Sequence, residues 1–182
     1  TLTSVTLPNS VVALHGGAFS SCTSLVNIKL PNSISILGGE AFINCISLTS
    51  VAIPTSVYSI GGGAFKNCKK LSSVTIPNGV KYILDNAFEN CDNLSKIVLP
   101  ENVESVGEKA FYHCDLLENV KLNNKLNSLN SNVFCSCKNL KQIEFLEGLT
   151  FICDGAFGNC YELQEIILPK TVQKIGVEAF YN

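Results

Sequence analysis

The chain has 182 residues, a formal net charge of −2, 46% hydrophobic residues and a mean hydropathy of +0.27. That apolar content supplies a core and argues against disorder, yet no apolar run approaches the roughly 20 residues of a membrane-spanning helix, so direct membrane insertion is not expected. All 13 basic residues are Lys, so the planar, bidentate recognition of phosphate or guanine that Arg provides is lacking, and nucleic-acid binding is not expected.

The chain repeats without a break in register. Ala18-Phe19…Cys22 recurs as Ala41-Phe42…Cys45, Ala64-Phe65…Cys68, Ala87-Phe88…Cys91 and Ala110-Phe111…Cys114. It continues as Val133-Phe134…Cys137, Ala156-Phe157…Cys160 and Ala179-Phe180, each 23 residues after the last. A fixed period of this size is the mark of a solenoid. One coil cannot bury its apolar face alone, and stacking coils joins those faces into one core. About eight coils in a single domain, 1–182, follow from the period. The chain starts inside a repeat and shows no polar capping repeat, which predicts a fragment of a longer array with ends able to associate with another copy.

Within the unit 18–40, Ala18, Phe19, Cys22 and Leu25 are spaced i, i+1, i+4, i+7, which predicts a short helical or 3₁₀ turn. Leu25-x-x-Ile28-x-Leu30 follows as a strand, closed by Pro31, which has no N–H. Ile28 and Leu30 face inward, and Asn27 and Lys29 outward. Ile34-x-x-Leu37 gives a second short apolar segment, and Gly38-Gly39 turns the chain toward the next Ala-Phe. The strand slot holds Ile28, Val51, Val74, Ile97, Val120, Ile143 and Ile166, as a stacked parallel sheet requires. The coils over 122–153 depart from the pattern: Asn123 and Leu146 replace Pro, Val133 replaces Ala, and Phe145 replaces Leu or Ile. Repeat drift and a distorted, partner-contacting face both fit.

The pattern L-x-x-I-x-L-P-x-x-V-x-x-I-G-x-x-A-F-x-x-C-x-x-L, carried nearly whole by residues 25–48, closely resembles the 23-residue leucine-rich repeats of BspA-like surface proteins of the Treponema pallidum type. The resemblance covers the whole chain. It implies an α/β repeat solenoid of the right-handed, horseshoe-like leucine-rich-repeat kind. The parallel β-sheet would be concave, with short helical or 3₁₀ turns on the convex side. It also implies a secreted or cell-surface, non-enzymatic adhesion module of a host-associated microbe, binding host-cell, extracellular-matrix or microbial surface proteins, or glycans. The alternative is an intracellular scaffold for protein–protein interaction, to which the many unpaired Cys would be suited.

No catalytic, cofactor or metal constellation emerges. His15 and His113 occupy unrelated positions of the coil and read as surface or turn residues. Seven of the nine Cys follow the period and read as small buried hydrophobes. Cys135 and Cys153 lie off that ladder, where free thiols or a bridge between neighbouring coils both fit. Asn93-Leu94-Ser95 is a glycosylation acceptor sequence, relevant only in a eukaryotic secretory route. The slot before Cys is mostly Asn, a residue tolerant of left-handed turns. It reads as a structural ladder, with a polar recognition stripe as the alternative.

The binding surface is expected on the outward side of the strand: Asn27, Lys29, Ser50, Ser73, Thr75, Lys96, Asn119, Lys121, Gln142, Glu144 and Glu165. These positions vary while the inward slots hold still. Their short polar groups suit an extended protein or glycan partner better than a small molecule. No aromatic residue stands among them, so interface energy from Tyr or Trp is not expected there.

Overall fold

The computed structural model describes residues 1–182 and contains only short strands and turns, with no helix. Each coil contributes up to two strands. The three-residue set is β1 (Ser4–Thr6), β3 (Asn27–Lys29), β5 (Ser50–Ala52), β7 (Ser73–Thr75), β9 (Lys96–Val98), β11 (Asn119–Lys121) and β13 (Gln142–Glu144). The two-residue set is β2 (Ala13–Leu14), β4 (Ile36–Leu37), β6 (Ser59–Ile60), β8 (Tyr82–Ile83), β10 (Ser105–Val106), β12 (Ser128–Leu129), β14 (Phe151–Ile152) and β15 (Lys174–Ile175). All pairs are parallel and match each residue with the one 23 positions on, as in Val5 with Ile28 and Val120 with Ile143. The result is a parallel β-solenoid of about seven full turns, because the eighth expected strand, at Ile166, does not form.

The sheets are interrupted. The longer strands group as β1-β3-β5-β7 and β9-β11-β13, and the shorter as β2-β4-β6-β8-β10 and β12-β14-β15. The core is nevertheless continuous. A cluster of 47 buried hydrophobic residues runs through the stack. Phe19, Phe42, Phe65, Phe88, Phe111, Phe134, Phe157 and Phe180 form one column of near-parallel rings with centroids 5.3–5.7 Å apart. That spacing lies in the favourable range of about 4.5–7 Å for aromatic pairs.

The expected helical or 3₁₀ turns are absent, and backbone geometry gives the reason. In one coil, Ala64, Lys66 and Cys68 donate N–H bonds to carbonyls three residues back, at Gly61, Gly63 and Phe65. The intervening Gly63, Phe65 and Asn67 donate instead to the next coil, at Asp85, Ala87 and Glu89, with distances of 2.8–2.9 Å. Gly63 and Asn67 have φ of 62° and 61°, and the same two slots are left-handed along the array, as at Asn86, Asn90, Lys109 and His113. A helix needs consecutive right-handed residues. Here every second N–H faces the neighbouring coil, so the turns stack as the strands do.

The Asn slot is therefore a left-handed backbone ladder, and its side chains bond one another. Asn67 Nδ2 donates to Asn44 Oδ1, and Asn90 Nδ2 donates to Asn67 Oδ1, each at 2.7 Å.

Three departures from the repeat, at Asn123, Asn130 and Val133, have a structural account. Asn123 is buried, its Nδ2 donating to the Pro100 and Val103 carbonyls at 2.6 and 2.8 Å. Its Oδ1 accepts from the Lys125 and Leu126 N–H groups, doing the work of the Pro turn that it replaces. Asn130 Nδ2 takes the Val106 carbonyl at 2.8 Å, a position filled by a backbone N–H in neighbouring coils, where the shorter sheet is interrupted. Val133 fits the core without exposure.

All nine Cys are free thiols, so the Cys135–Cys153 bridge is not formed.

Candidate protein-binding face

The outward positions of the longer strands are exposed along the array, because alternation sends Ile28, Val51, Ile97 and Val120 into the core between them. Register arranges them in two files. One runs Ser4, Asn27, Ser50, Ser73, and the other Thr6, Lys29, Ala52, Thr75. Beyond the break after β7 the files resume as Lys96, Asn119, Gln142 and Val98, Lys121, Glu144. Ten of the eleven residues expected from the sequence thus share one face in register.

Glu165 does not. Residues 163–169 form no strand, so Glu165 stands beside the sheet edge, outside any strand. In the coil before it Phe145 packs its ring edge-on to Phe157, with centroids 6.3 Å apart.

The face differs along its length. The first half carries short Ser and Thr side chains with Lys29, which enters no ion pair. In the second half Lys121 Nζ holds Glu144 Oε1 at 2.7 Å, and Lys141 holds Glu118 at 3.4 Å. Such exposed cross-coil pairs contribute about 0–1 kcal/mol each and mainly fix side-chain direction. Where β7 and β9 fail to pair, an open cleft of about 500 Å³ separates Ser73 and Thr75 from Lys96 and Val98.

Sequence reasoning passed over a second surface, on the shorter strands. Tyr58 is half exposed and meets Tyr82 edge-on at 5.4 Å, with Lys81 Nζ 5.7 Å from the Tyr58 ring centroid. Glu104 receives the Tyr82 hydroxyl at 3.2 Å and Lys81 at 3.1 Å. These neighbours push the Tyr82 hydroxyl up to about 12, through Tyr58 first and Glu104 second. The Lys81 hydrogen bond holds the Glu104 carboxyl below its ordinary value. Beside Tyr58, exposed Ile36 and Leu84 border a groove of about 520 Å³ floored by Gly38, Gly39, Gly61 and Gly62. The near-period spacing of Tyr58 and Tyr82 was the available signal, but the two tyrosines occupy adjacent positions of their coils and so escaped a slot-by-slot reading.

His113 sits at a left-handed turn, its Nδ1 3.4 Å from Asp115 Oδ1, and no group of three or more His, Cys, Asp or Glu converges as a metal site would. The turn thiols are donors as well as hydrophobes: Cys68 Sγ donates to Phe42 O at 3.2 Å and Cys114 Sγ to Phe88 O at 3.3 Å. Burial pushes Cys45 up to about 11 and Cys160 up to about 12, and raises Cys68, Cys91, Cys114 and Cys137 as well. These groups are poor nucleophiles.

Three solved structures resemble this fold over most of the chain. A leucine-rich repeat protein from Bacteroides ovatus is 32% identical with a TM-score of 0.91, over 96% of this chain and 48% of its own. The chain thus spans about half the length of that relative. The leucine-rich repeat protein of T. pallidum is 31% identical with a TM-score of 0.85, over 89% of this chain and 78% of its own. A leucine-rich cell surface protein from Faecalibacterium prausnitzii is 32% identical with a TM-score of 0.62, over 100% of this chain and 57% of its own. No curated protein matches the chain closely enough to compare. The sequence profile of the BspA-type leucine-rich repeat region, with 6 copies, matches residues 1–114 and 59–182. With the 23-residue register, the Phe column and the turn-thiol ladder, this match shows that the chain belongs to the BspA-type leucine-rich repeat family.

Proposed function

We propose that the chain is a non-catalytic, cell-surface protein-binding module, and that it engages an extended partner, such as a host-cell, matrix or microbial surface protein, across the outward face of its longer strands. The observation that carries this reading is the pair of in-register files, Ser4 to Ser73 and Lys96 to Gln142 with their neighbours, exposed on a rigid stack. A file of polar groups at a constant step suits repeated contacts along one partner, with affinity built from many weak contacts. The cell-surface description of the F. prausnitzii relative supports the location. The free thiols give little support to an intracellular scaffold, because burial protects most of the ladder from oxidation in any compartment.

The test is binding to epithelial cells and to immobilised fibronectin, with a variant carrying Asn27→Ala, Lys29→Ala, Lys96→Ala, Asn119→Ala and Lys121→Ala. Saturable binding lost in the variant supports the reading. Binding undiminished in the variant would transfer the site to the Tyr58 surface. An absence of binding by both proteins sinks surface adhesion for these coils.

A further inference from the structure

The wide face opens beside β13. On one side β13 is paired with β11, but no backbone hydrogen bond joins its other side to the following coil. Residues 164–168 neither donate nor accept a backbone hydrogen bond, and the Phe145 N–H has no acceptor. In the two coils just before it the equivalent groups are paired, Glu118 N–H to Ser95 O and Lys141 N–H to Glu118 O at 3.0 Å and Leu122 N–H to Glu144 O at 3.1 Å, whereas the step from β7 to β9 is unpaired like this one. Between the two unpaired edges lies an open cleft of about 820 Å³. Such a volume is within the range of about 300–1,000 Å³ that ligand pockets occupy.

The opening coincides with a departure in the sequence. Phe145 stands in an inward slot held elsewhere by Leu30, Ile53, Ile76, Leu99, Leu122 and Leu168. Its ring is wedged edge-on against Phe157, and the Phe134–Phe157 step of 5.7 Å is the widest in the Phe column. Leu146, in the Pro slot, is left exposed. Beside the opening the inward Ile143 is half-buried, and Ile167, which continues the outward file of Lys121 and Glu144, is 80% exposed.

We propose that this cleft is a strand-acceptor site that takes an extended, basic peptide segment, which pairs with the free edge of β13. Backbone pairing supplies the affinity and alternate side chains the specificity, as in other strand-addition complexes. Inward side chains of the segment would lie between Ile143 and Ile166, which suits β-branched apolar residues. Outward ones would meet Glu162 and Glu165, two exposed carboxylates in no ion pair, while the other local charges, Glu144 and Lys141, are already held by Lys121 and Glu118. The uncompensated charge is negative, so the partner carries Lys or Arg at alternate positions. This site deepens the protein-binding reading and rests on it.

The probe is a fluorescein-labelled peptide of alternating Lys and Val, five residues long, followed by anisotropy and by amide chemical shifts. The chain is expected to bind it with perturbed amides at Phe145, Gln164 and Ile166. Replacing the central residue of the peptide with Pro, or every Lys with Glu, should weaken binding at least about tenfold. Phe145→Leu should let the following segment pair with β13 and abolish binding with the fold retained. The exposed pair Glu162→Lys and Glu165→Lys should weaken binding similarly without touching the core. Equal binding of the Pro or Glu peptide overturns the proposal, as does undiminished binding by either variant. The outer-face variant described above retains Phe145, Glu162 and Glu165. It should bind the peptide normally, so loss of cell adhesion alone leaves the cleft result standing.

Discussion

The thiol of Cys91 donates to the carbonyl of Phe65, 26 residues earlier, at 3.3 Å, and the same carbonyl accepts the Cys68 N–H at 3.1 Å. Both lone pairs of a buried carbonyl are thereby used, one within its own coil and one across to the next. The relationship repeats from Cys45 to Cys160. It explains why the slot is Cys when a small hydrophobe would fill the same space.

The buried thiols give the fold a weakness in alkali. In the unfolded chain a thiol ionises near its ordinary value of 9.0, whereas Cys45 is raised to about 11 and Cys160 to about 12 when folded, by burial first. The folded state thus holds protons that the unfolded state releases. This contribution to stability is complete below about pH 9 and declines as pH rises toward 11 and 12, by at most about 1.4 kcal/mol per pH unit for each thiol. Urea midpoints measured between pH 7 and 10.5 should be flat at first and then fall. A variant with Cys68→Ala, Cys91→Ala and Cys114→Ala should start less stable and fall less steeply.

Phe88 is fully buried between Phe65 and Phe111, with both centroid distances 5.3 Å. Phe88→Ala should cost about 3–5 kcal/mol. Because coils contact only their neighbours, the loss should also divide unfolding into two transitions, visible by calorimetry as separate peaks.

Asn123 makes four hydrogen bonds while buried. Asn123→Ala strands the Leu126 N–H and the Val103 carbonyl, while the Pro100 carbonyl keeps the Val103 N–H, and should cost about 1–3 kcal/mol in denaturant titration. Asn123→Pro restores the residue found at Pro100 and Pro169 and should cost less.

Asn67 combines φ of 61° with side-chain bonds to Asn44 and Asn90. Asn67→Gly keeps the backbone and loses the bonds, whereas Asn67→Val adds strain of about 1–2 kcal/mol for a left-handed L-residue. Thermal melts should rank wild type above Asn67→Gly above Asn67→Val.

The solenoid, the inward slots and ten of the eleven outward residues were legible from the 23-residue period, because stacked coils repeat every contact at that step. The turn geometry was not. The i, i+1, i+4, i+7 spacing of Ala18, Phe19, Cys22 and Leu25 describes which side chains converge, and both a helix and a stack of left-handed turns satisfy it. Only the neighbouring coil, which draws every second N–H outward, decides between them. The same holds for Phe145: its departure from Leu or Ile is plain in the chain, but its effect depends on the Phe157 ring in the next coil. The amino-acid sequence by itself determined the period, the buried slots and the family, since these depend on local pattern. Which strands pair, where the sheet opens and where Glu165 comes to rest depended on packing between coils, which no single repeat encodes.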